Sequence, residues 1–542
     1  MNALKTKMQT QFLLVGSLIF LLVLVVFGFL GYCSFPNSDD FIMAQDTSKG
    51  FFWALIYWLG FWLSSWTTAA TELSIPLTFG YYDYGLPFYF FISSSFFISY
   101  FFLFNTLTGN YKTSFAATFL LFSIYLIYVP NVAEVYFWVI GALVYTLPMA
   151  ALFSFIALHW TSKKNLSQTT PGRERAVLLG LIFISGICFA IIFKRFGLTG
   201  VVQILDKLFP PNYLYLYWIL GFSALVALFF LAKKYFYVNH VLLGLCAFLV
   251  VGMSPQVALF LMTYVVLYMV FEYFENRSIS KYSVYLFLVM CICFIILMKM
   301  PGTAGRMSLT NPNVKKDFLY YFNANLYMLK VHFWERYVGI AYLITAVLGL
   351  IIQSVFPPIG RFRKEMPAFF LLSVFSLHFL SIVLYHFSNG HFPLRLSCNF
   401  IVLNFLLSFG IGFTLAIPEK MAGFFQNWSI QTALLAIVLL FGLSPNFLQA
   451  IQEVSSGEAM RFRQYKLAQF ETIKNCPSDT CMVPYDTFKL KLIPNQEFIF
   501  PNEKGFVLSH KYFISRYFKK EYIKYDPATL PKNSNFNSNN SH

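Results

Sequence analysis

Long apolar runs, separated by short polar or basic stretches, are the feature that most limits what this chain can fold into. The runs are about 16 to 21 residues long, which is the length at which a helix crosses the hydrocarbon layer of a membrane. Only 11% of the residues are charged, compared with about a quarter in an ordinary soluble domain. The pattern predicts an all-α integral membrane protein with about thirteen transmembrane helices.

The predicted spans follow from the positions of these runs along the chain. The first one, with Lys5 and Lys7 before it, is longer than the core of a usual secretory signal and lacks a small-residue cleavage site, so we expect an uncleaved span. The predicted spans are 12–32, 86–104, 114–129, 139–159, 176–193, 213–231, 238–253, 257–272, 282–298, 337–355, 367–385, 399–417 and 429–446.

The distribution of basic residues predicts the orientation of these spans. With the N-terminus in the cytoplasm, Lys and Arg are denser in the connections that fall inside, as the positive-inside rule requires. An odd number of spans then places the C-terminal tail outside. The predicted domains are a transmembrane domain over 1–446, a small soluble external lobe over 447–530 and a disordered tail over 531–542.

The external lobe is predicted to be a small α+β extension. Apolar residues at helical spacing predict a helix from Gly457 to Asn475, whereas alternation from Phe488 to Ile493 predicts a strand. Cys476 and Cys481 bracket a short polar turn, and a disulfide between them would suit an oxidising compartment.

A formal net charge of +16 raises the question of nucleic-acid binding. Most of the Lys and Arg residues lie beside apolar runs, and no basic stripe interleaved with stacking aromatics is visible. The charge therefore indicates topology and contact with an anionic lipid bilayer, and excludes nucleic acid as the expected partner.

The first external connection, 33–85, carries the first candidate catalytic residues. Its stretch FFWALIYWLGFWLSSW is too rich in Trp and Tyr for a normal span and predicts interfacial helices. Asp39 and Asp40 follow the first span closely, where a carboxylate could accept a proton from a hydroxyl or hold a divalent cation such as Mg²⁺ or Mn²⁺. The alternative is a solvated turn with Asn37 and Ser38.

Three other external connections carry candidate substrate-binding residues. Glu134 is either a site residue or a solvated loop acid, and Arg306, in a Pro and Gly stretch, is either an anion ligand or a chance loop charge. Arg395 is either a phosphate ligand or a snorkelling anchor, and nearby His391 lacks the further ligands of a metal site. Carboxylates and cations on one face suit transfer from a lipid phosphate, which needs a base for the acceptor and donors for the leaving phosphate.

The stretches NSDDF, EVYFWVIGALVYTLP, PGTAGR and FPLRL resemble those of a bacterial family of multi-span proteins related to the GT-C class of membrane glycosyltransferases. The resemblance implies a transferase in the bacterial cytoplasmic membrane that takes a sugar from a polyprenyl phosphate at the outer leaflet and inverts its anomeric centre. It implies Asp39 or Asp40 as base or metal ligand, Arg306 and Arg395 at the donor phosphate, and Glu134 either at the acceptor or in orienting the site. In GMSPQVAL it leads us to expect an acid where this chain has Gln256.

Two other functions fit the sequence. A transporter or flippase of a lipid-linked or anionic substrate would use the Arg residues to guide charge, although no internal repeat is visible and the charges cluster at loop ends. A noncatalytic membrane scaffold would bind a partner through the exported tail.

Overall fold

The computed structural model is mostly helical, and its apolar helices are those of a multi-pass membrane protein. Seven described helices are long and apolar enough to cross a membrane. The structure describes residues 2–61, 63, 65–165, 206–207, 236–302, 319, 322–323, 338–355, 373, 394–414, 437, 440–442, 444–484, 488, 490–493, 514, 517–520 and 522–525.

The regular elements of the described residues are helices, apart from one pair of short strands. The helices are α1 (Asn2–Tyr32), α2 (Ser38–Thr47), α3 (Phe51–Phe61), α4 (Trp66–Glu72), a 3-10 turn (Pro76–Phe79), α5 (Gly85–Thr108), α6 (Tyr111–Tyr128), a π-helical turn (Ala133–Phe137), α7 (Val139–Asn165), α8 (Phe236–Val251), α9 (Pro255–Asn276), α10 (Lys281–Lys299), α11 (Val338–Val355), α12 (Leu394–Thr414), α13 (Pro445–Ser455) and α14 (Glu458–Asn475). The strands are β1 (Thr480–Val483) and β2 (Tyr522–Tyr525), which pair in parallel.

Seven predicted spans coincide with helices of membrane-crossing length, namely α1, α5, α6, α7, α9, α10 and α11. The predicted spans 238–253 and 399–417 coincide with shorter apolar helices within α8 and α12. The predicted spans 176–193 and 213–231 lie outside the described residues, as do 367–385 and 429–446 for most of their length. The total of about thirteen spans stays a prediction.

Several helix ends meet at one end of the bundle, which we call the loop face. It is formed by the C-terminal ends of α1, α6 and α8 and the N-terminal ends of α5, α7, α9 and α12. A Cβ at Gly85, at the start of α5, would meet the carbonyls of Gly31 in the last turn of α1 and of Ser34 just after it. The N–H of Thr67 donates to Gly252 O at 2.9 Å, which ties the first connection to the end of α8.

Two glycines let α11 and α12 pack backbone against backbone. A Cβ at Gly349 would meet the carbonyl of Phe409 in α12, and a Cβ at Gly412 would meet the backbone of Ala346 in α11. Small residues at such contacts bring membrane helices close together, because apolar side chains gain little from leaving lipid for another helix.

The first connection folds into short helices that follow α1. Helix α3 buries Phe51, Ala54 and Trp58, while it exposes a row of aromatic rings one turn apart. In that row the ring of Tyr57 stacks on Trp53 at 5.3 Å and on Phe61 at 5.9 Å. An exposed Trp and Tyr face is typical of helices at the boundary between lipid and water.

Helix α3 is capped by a distant carboxylate. Asp206 accepts hydrogen bonds from the N–H groups of Phe52 at 2.7 Å and Trp53 at 3.2 Å. These first-turn N–H groups have no partner within the helix, so a cap from elsewhere in the chain satisfies them. Gly50, at φ 141°, leaves the space that the Asp206 carboxylate occupies.

The C-terminal lobe, defined here as the described residues of 445–525, contains both strands. Its helix α14 (Glu458–Asn475) confirms the predicted helix at Gly457 to Asn475. Cys476 and Cys481 form a disulfide, as their spacing suggested. The register of the strands pairs Cys481 with Ile523.

The predicted strand from Phe488 to Ile493 is wrong, because the described residues in this range form no strand. Two backbone N–H groups of this segment donate to a side chain instead of to a neighbouring strand. The N–H groups of Lys491 and Leu492 donate to the buried carboxylate of Glu453 at 2.7 and 3.2 Å. The alternation reflects one-sided burial, since Phe488 packs on Phe462 with a ring separation of 5.1 Å.

We expect Gly412→Ala to destabilise the protein, because its new methyl group would force α11 and α12 apart. Overpacking of this kind costs roughly 1–3 kcal/mol. The melting temperature of the detergent-solubilised protein measures the effect. Gly16→Ala is the matched control, since no described atom lies within 4 Å of a Cβ at Gly16 in α1. Equal melting temperatures for both variants would contradict the close packing of α11 on α12.

Candidate functional site

Asp40 lies in the first turn of α2 and closes that turn. Its Oδ2 accepts the N–H of Asn37, the residue before the helix, at 2.6 Å. The N–H of Asp40 in turn donates to the carbonyl of Asn37 at 2.9 Å. A carboxylate at the third helical position that reaches back to the preceding N–H is half of a capping box. The sequence NSDDF therefore folds into a helix start that fixes this side chain.

The same carboxyl group reaches a second helix start. Its Oδ1 accepts the N–H of Ile140, in the first turn of α7, at 3.4 Å. Asp40 is 0% exposed, so both helix starts meet at a buried acid. Helix N-termini carry partial positive charge and favour a carboxylate.

Burial raises the pKa of Asp40 to about 8. Desolvation is the largest cause, and the Asn37 N–H opposes it by stabilising the charged form. The charge of neighbouring Asp39 adds to the increase, whereas the Ile140 N–H and the Trp138 side chain act against it. The acid is thus poised to exchange its proton near neutral pH, which is the range that suits a general base.

One buried polar group beside Asp40, the Tyr84 hydroxyl, completes no hydrogen bond with any described residue. Burial raises the pKa of Tyr84 well above its ordinary value, and the Asp40 carboxyl and Tyr517 add to the increase. A buried donor without a partner costs free energy, so this hydroxyl marks a place where a further polar ligand would be stabilised. The Trp138 side chain, by contrast, stabilises the charged form of Asp40.

Asp39 and Glu134, the other two predicted acids, are less buried than Asp40. Asp39 precedes Asp40 in α2 and is half-buried, and Glu134 is half-buried in the π-helical turn before α7. Asn131, shortly before that turn, has a φ of 53°. The carbonyl oxygen of Glu134 lies where a Cβ of Gly141 would be. Gly141 in α7 therefore lets the Glu134 segment pack against the helix that Asp40 caps. Turns of the π type are frequent at functional sites.

Helix α12 brings the predicted phosphate ligand Arg395 to the loop face. The backbone of Arg395 lies in the first turn of α12, and its side chain lies outside the described residues. One turn further, the Cys398 thiol donates to the carbonyl of Pro130 at 2.8 Å. The start of α12 therefore lies against the connection that carries Glu134.

Gln256 is also at the loop face, where the resemblance led us to expect an acid. Its Oε1 accepts a hydrogen bond from Asn399 Nδ2 at 3.0 Å, and both residues are buried. A pair of amides occupies this position, and it holds the start of α9 to the start of α12.

Arg306 and His391 lie outside the described residues. The connection that leads to Arg306 does leave from the loop face. At Gly302, a Cβ would meet the backbone of Leu59 and Leu63, at the end of α3.

The described residues do not fit a metal ion at Asp40. Both of its carboxyl oxygens accept backbone N–H groups, so each oxygen has one lone pair fewer for a cation. Among the residues that the structure describes, no group of three or more His, Cys, Asp or Glu could hold a metal ion. The expected Mg²⁺ or Mn²⁺ therefore has no support in this part of the chain.

The alternative of a solvated turn at Asp39 and Asp40 is wrong for Asp40, because that side chain is buried. Tyr84 and Trp138 did not emerge from the sequence as site residues. In the sequence, nothing distinguishes Tyr84 from the rest of the 34 tyrosines, because its importance depends on contacts with residues that are distant along the chain.

Comparison of the chain with protein-family models, curated proteins and solved structures gave no match. The resemblance to the GT-C glycosyltransferases stays a prediction.

We expect the protein to lose stability as the pH rises from about 4 through 8, because folding raises the pKa of Asp40 from its ordinary value of 3.8 to about 8. The folded state binds the proton more tightly than the unfolded state does. The contribution of this proton to the free energy of unfolding is therefore complete below pH 3.8, and it is lost once the folded carboxyl ionises. Melting temperatures between pH 6 and 9 measure this slope.

The variant Asp40→Asn should flatten the slope over that range, because the amide does not ionise. Asp46→Asn is the control, since Asp46 lies in the same helix and pairs with Lys49 at 2.6 Å. An unchanged slope in Asp40→Asn would mean that another group causes it.

Proposed function

We propose that this protein is a membrane glycosyltransferase that moves a sugar from a polyprenyl phosphate carrier to a cell-envelope acceptor, with inversion at the anomeric carbon. The observation that carries the proposal is the buried Asp40 carboxyl, held by two helix starts beside the Tyr84 hydroxyl, which completes no hydrogen bond with any described residue. Asp40 is the base and Asp39 its neighbour in the acidic motif.

The reaction needs one proton acceptor and one anion site. The acceptor hydroxyl attacks the anomeric carbon, and a bond from its oxygen to that carbon forms. Its proton passes to the Asp40 carboxylate, and the bond between the anomeric carbon and the phosphate oxygen breaks. Polyprenyl phosphate leaves with the electron pair of that bond, so cations or N–H donors must stabilise the developing charge.

The loop face supports the anion site through its backbone arrangement. Helix α12 begins there with Arg395 in its first turn, and the connection to Arg306 leaves from the same face at Gly302. We assign the donor phosphate to Arg306 and Arg395, with His391 nearby, and the acceptor to Glu134. The segment of Glu134 meets α12 through the contact between Pro130 and Cys398.

The location of the site suits a substrate that remains in lipid. The exposed aromatic face of α3 suits a helix that lies in the boundary between lipid and water, beside the carrier's phosphate. The disulfide between Cys476 and Cys481 suits an oxidising compartment, and the lobe that contains it contacts the first connection. Both observations support a reaction at the outer leaflet of the bacterial cytoplasmic membrane, with the N-terminus in the cytoplasm.

We expect Asp40→Asn to lower the rate of sugar transfer by about 10²- to 10⁴-fold, which is the usual contribution of a general base. The assay uses protein reconstituted in vesicles with a panel of polyprenyl-phosphate sugars and a lipid extract as acceptor, and it measures release of polyprenyl phosphate. The wild-type rate should rise with pH through about 8, because the base acts when it has lost its proton.

Asp46→Asn is the control for this assay, since it makes the same substitution in the same helix and should keep most of the activity. A folded Asp40→Asn protein with full transfer would remove Asp40 from the mechanism. Exchange of substrate across the vesicle membrane without release of polyprenyl phosphate would replace this proposal with the transporter or flippase.

A further inference from the structure

The C-terminal lobe covers the helix that carries Asp40. Phe41, the next residue, is fully buried, and its ring lies 5.8 Å from Phe470, 5.3 Å from Tyr517 and 6.3 Å from Phe518. All three partners belong to the lobe. Tyr517 also interacts electrostatically with Tyr84, which borders the acid. The lobe therefore helps to enclose Asp40.

One arginine fastens the lobe to the first connection. The Arg463 guanidinium in α14 makes two hydrogen bonds to the Asp83 carboxylate, at 2.8 and 2.6 Å. It also donates to the carbonyl of Tyr32 at 2.6 Å and lies 3.6 Å from the centre of the Tyr32 ring. A forked pair of this kind combines charge and geometry, and the stacked ring adds to it.

Two weaker polar contacts accompany this arginine. The Tyr82 hydroxyl donates to Glu471 at 2.7 Å, and the Tyr517 hydroxyl donates to the carbonyl of Leu77 at 2.8 Å. We call the contact between Tyr82 and the exposed Glu471 the rim of the lobe. The Asp83 side chain is itself 44% exposed, so water can compete for its partner.

In the part of the chain that the structure describes, the Asp40 carboxyl is enclosed. Asp40 is 0% exposed, and a hydroxyl must come within hydrogen-bond distance of a base to give up its proton. The lobe is held to the first connection by side chains such as Arg463 and Asp83. Helix α2 is held to α7 by the Asp40 carboxyl, which takes no part in those contacts. Separation of the lobe would therefore preserve the helix that positions the acid.

We propose that the C-terminal lobe is a cap that must lift from the first connection before substrate reaches Asp40, and that Arg463 is the latch that keeps it closed. The use of Asp40 as a base rests on the proposed function. The movement of the cap is a separate property of the fold, and it is measured separately.

Cys33 offers a native reporter of the cap. It is fully buried at the end of α1, directly after the Tyr32 carbonyl that Arg463 binds. Burial raises the pKa of the Cys33 thiol to about 12, and the charge of Arg463 opposes this increase. A thiol that is buried and protonated reacts slowly with maleimides. Removal of the cap would expose it to reagent.

The experiment uses full-length protein in which Cys33 is the only free thiol and the Cys476 to Cys481 disulfide is kept. A water-soluble maleimide labels it, and mass spectrometry gives the rate. We expect Arg463→Met to raise the rate at least about ten-fold, because a local opening that is rare in the wild type becomes frequent. Arg461→Met, an exposed position in the same helix, should leave the rate unchanged.

Asp83→Asn is the second variant, since it removes the same ion pair from the other side and changes few atoms. It should also raise the labelling rate of Cys33. If Arg463→Met fails to fold, this variant alone tests whether the ion pair keeps the lobe closed. Labelling at the wild-type rate in a folded Asp83→Asn protein would overturn the latch.

A cross-link tests whether the cap must lift. In a protein without other free thiols, Tyr82→Cys and Glu471→Cys are joined by a bis-maleimide, which holds the rim closed. Release of polyprenyl phosphate should fall at least about ten-fold on cross-linking, since opening is required in each cycle. Full activity of the cross-linked protein would overturn the cap.

These outcomes remain distinct from failure of the proposed function. An active Asp40→Asn protein would remove the base, whereas the labelling rates of Cys33 would still report whether the lobe opens.

Discussion

The buried carboxyl of Asp40 is the interaction on which the loop face depends. Two helix starts, those of α2 and α7, point N–H groups at the same enclosed place, and one side chain satisfies both. Without an acceptor there, each N–H would be left without a partner in a site that water does not reach. The first connection and the middle of the bundle are therefore joined through one acid.

The same arrangement explains why this acid is chemically unusual. The helix ends favour its charged form, and burial favours its neutral form more strongly, which brings its pKa to about 8. A structural cap with an ordinary pKa would stay charged at neutral pH and hold its donors firmly. At a pKa of about 8, the two forms differ little in free energy near neutral pH, so a change in the surroundings can shift the balance.

The transmembrane helices could be predicted from the sequence because apolar length is a local property. Helices α1, α5, α6, α7, α9, α10 and α11 all coincide with predicted spans. For Asp40, the sequence predicted only that a carboxylate follows the first span closely. Its burial depends on Ile140, one hundred positions away, and no local pattern encodes that contact. The pairing of Asp83 with Arg463 spans 380 positions, so no local pattern encodes it either. The segment from Phe488 to Ile493 alternates without forming a strand, because the Glu453 carboxylate accepts its backbone N–H groups.

Enclosure by the lobe and proton affinity at Asp40 are physically coupled. Desolvation is the largest cause of the raised pKa, so whatever admits water to the carboxyl lowers that pKa toward its ordinary value. Lifting of the lobe from Phe41 and Tyr84 would thus convert a neutral acid into a carboxylate at the moment when a hydroxyl gains access to it. The capping bonds from Asn37 and Ile140 favour the carboxylate, so α2 and α7 stay joined through the change. In the proposed transfer reaction, one movement would then provide both the path for the acceptor and the base that activates it.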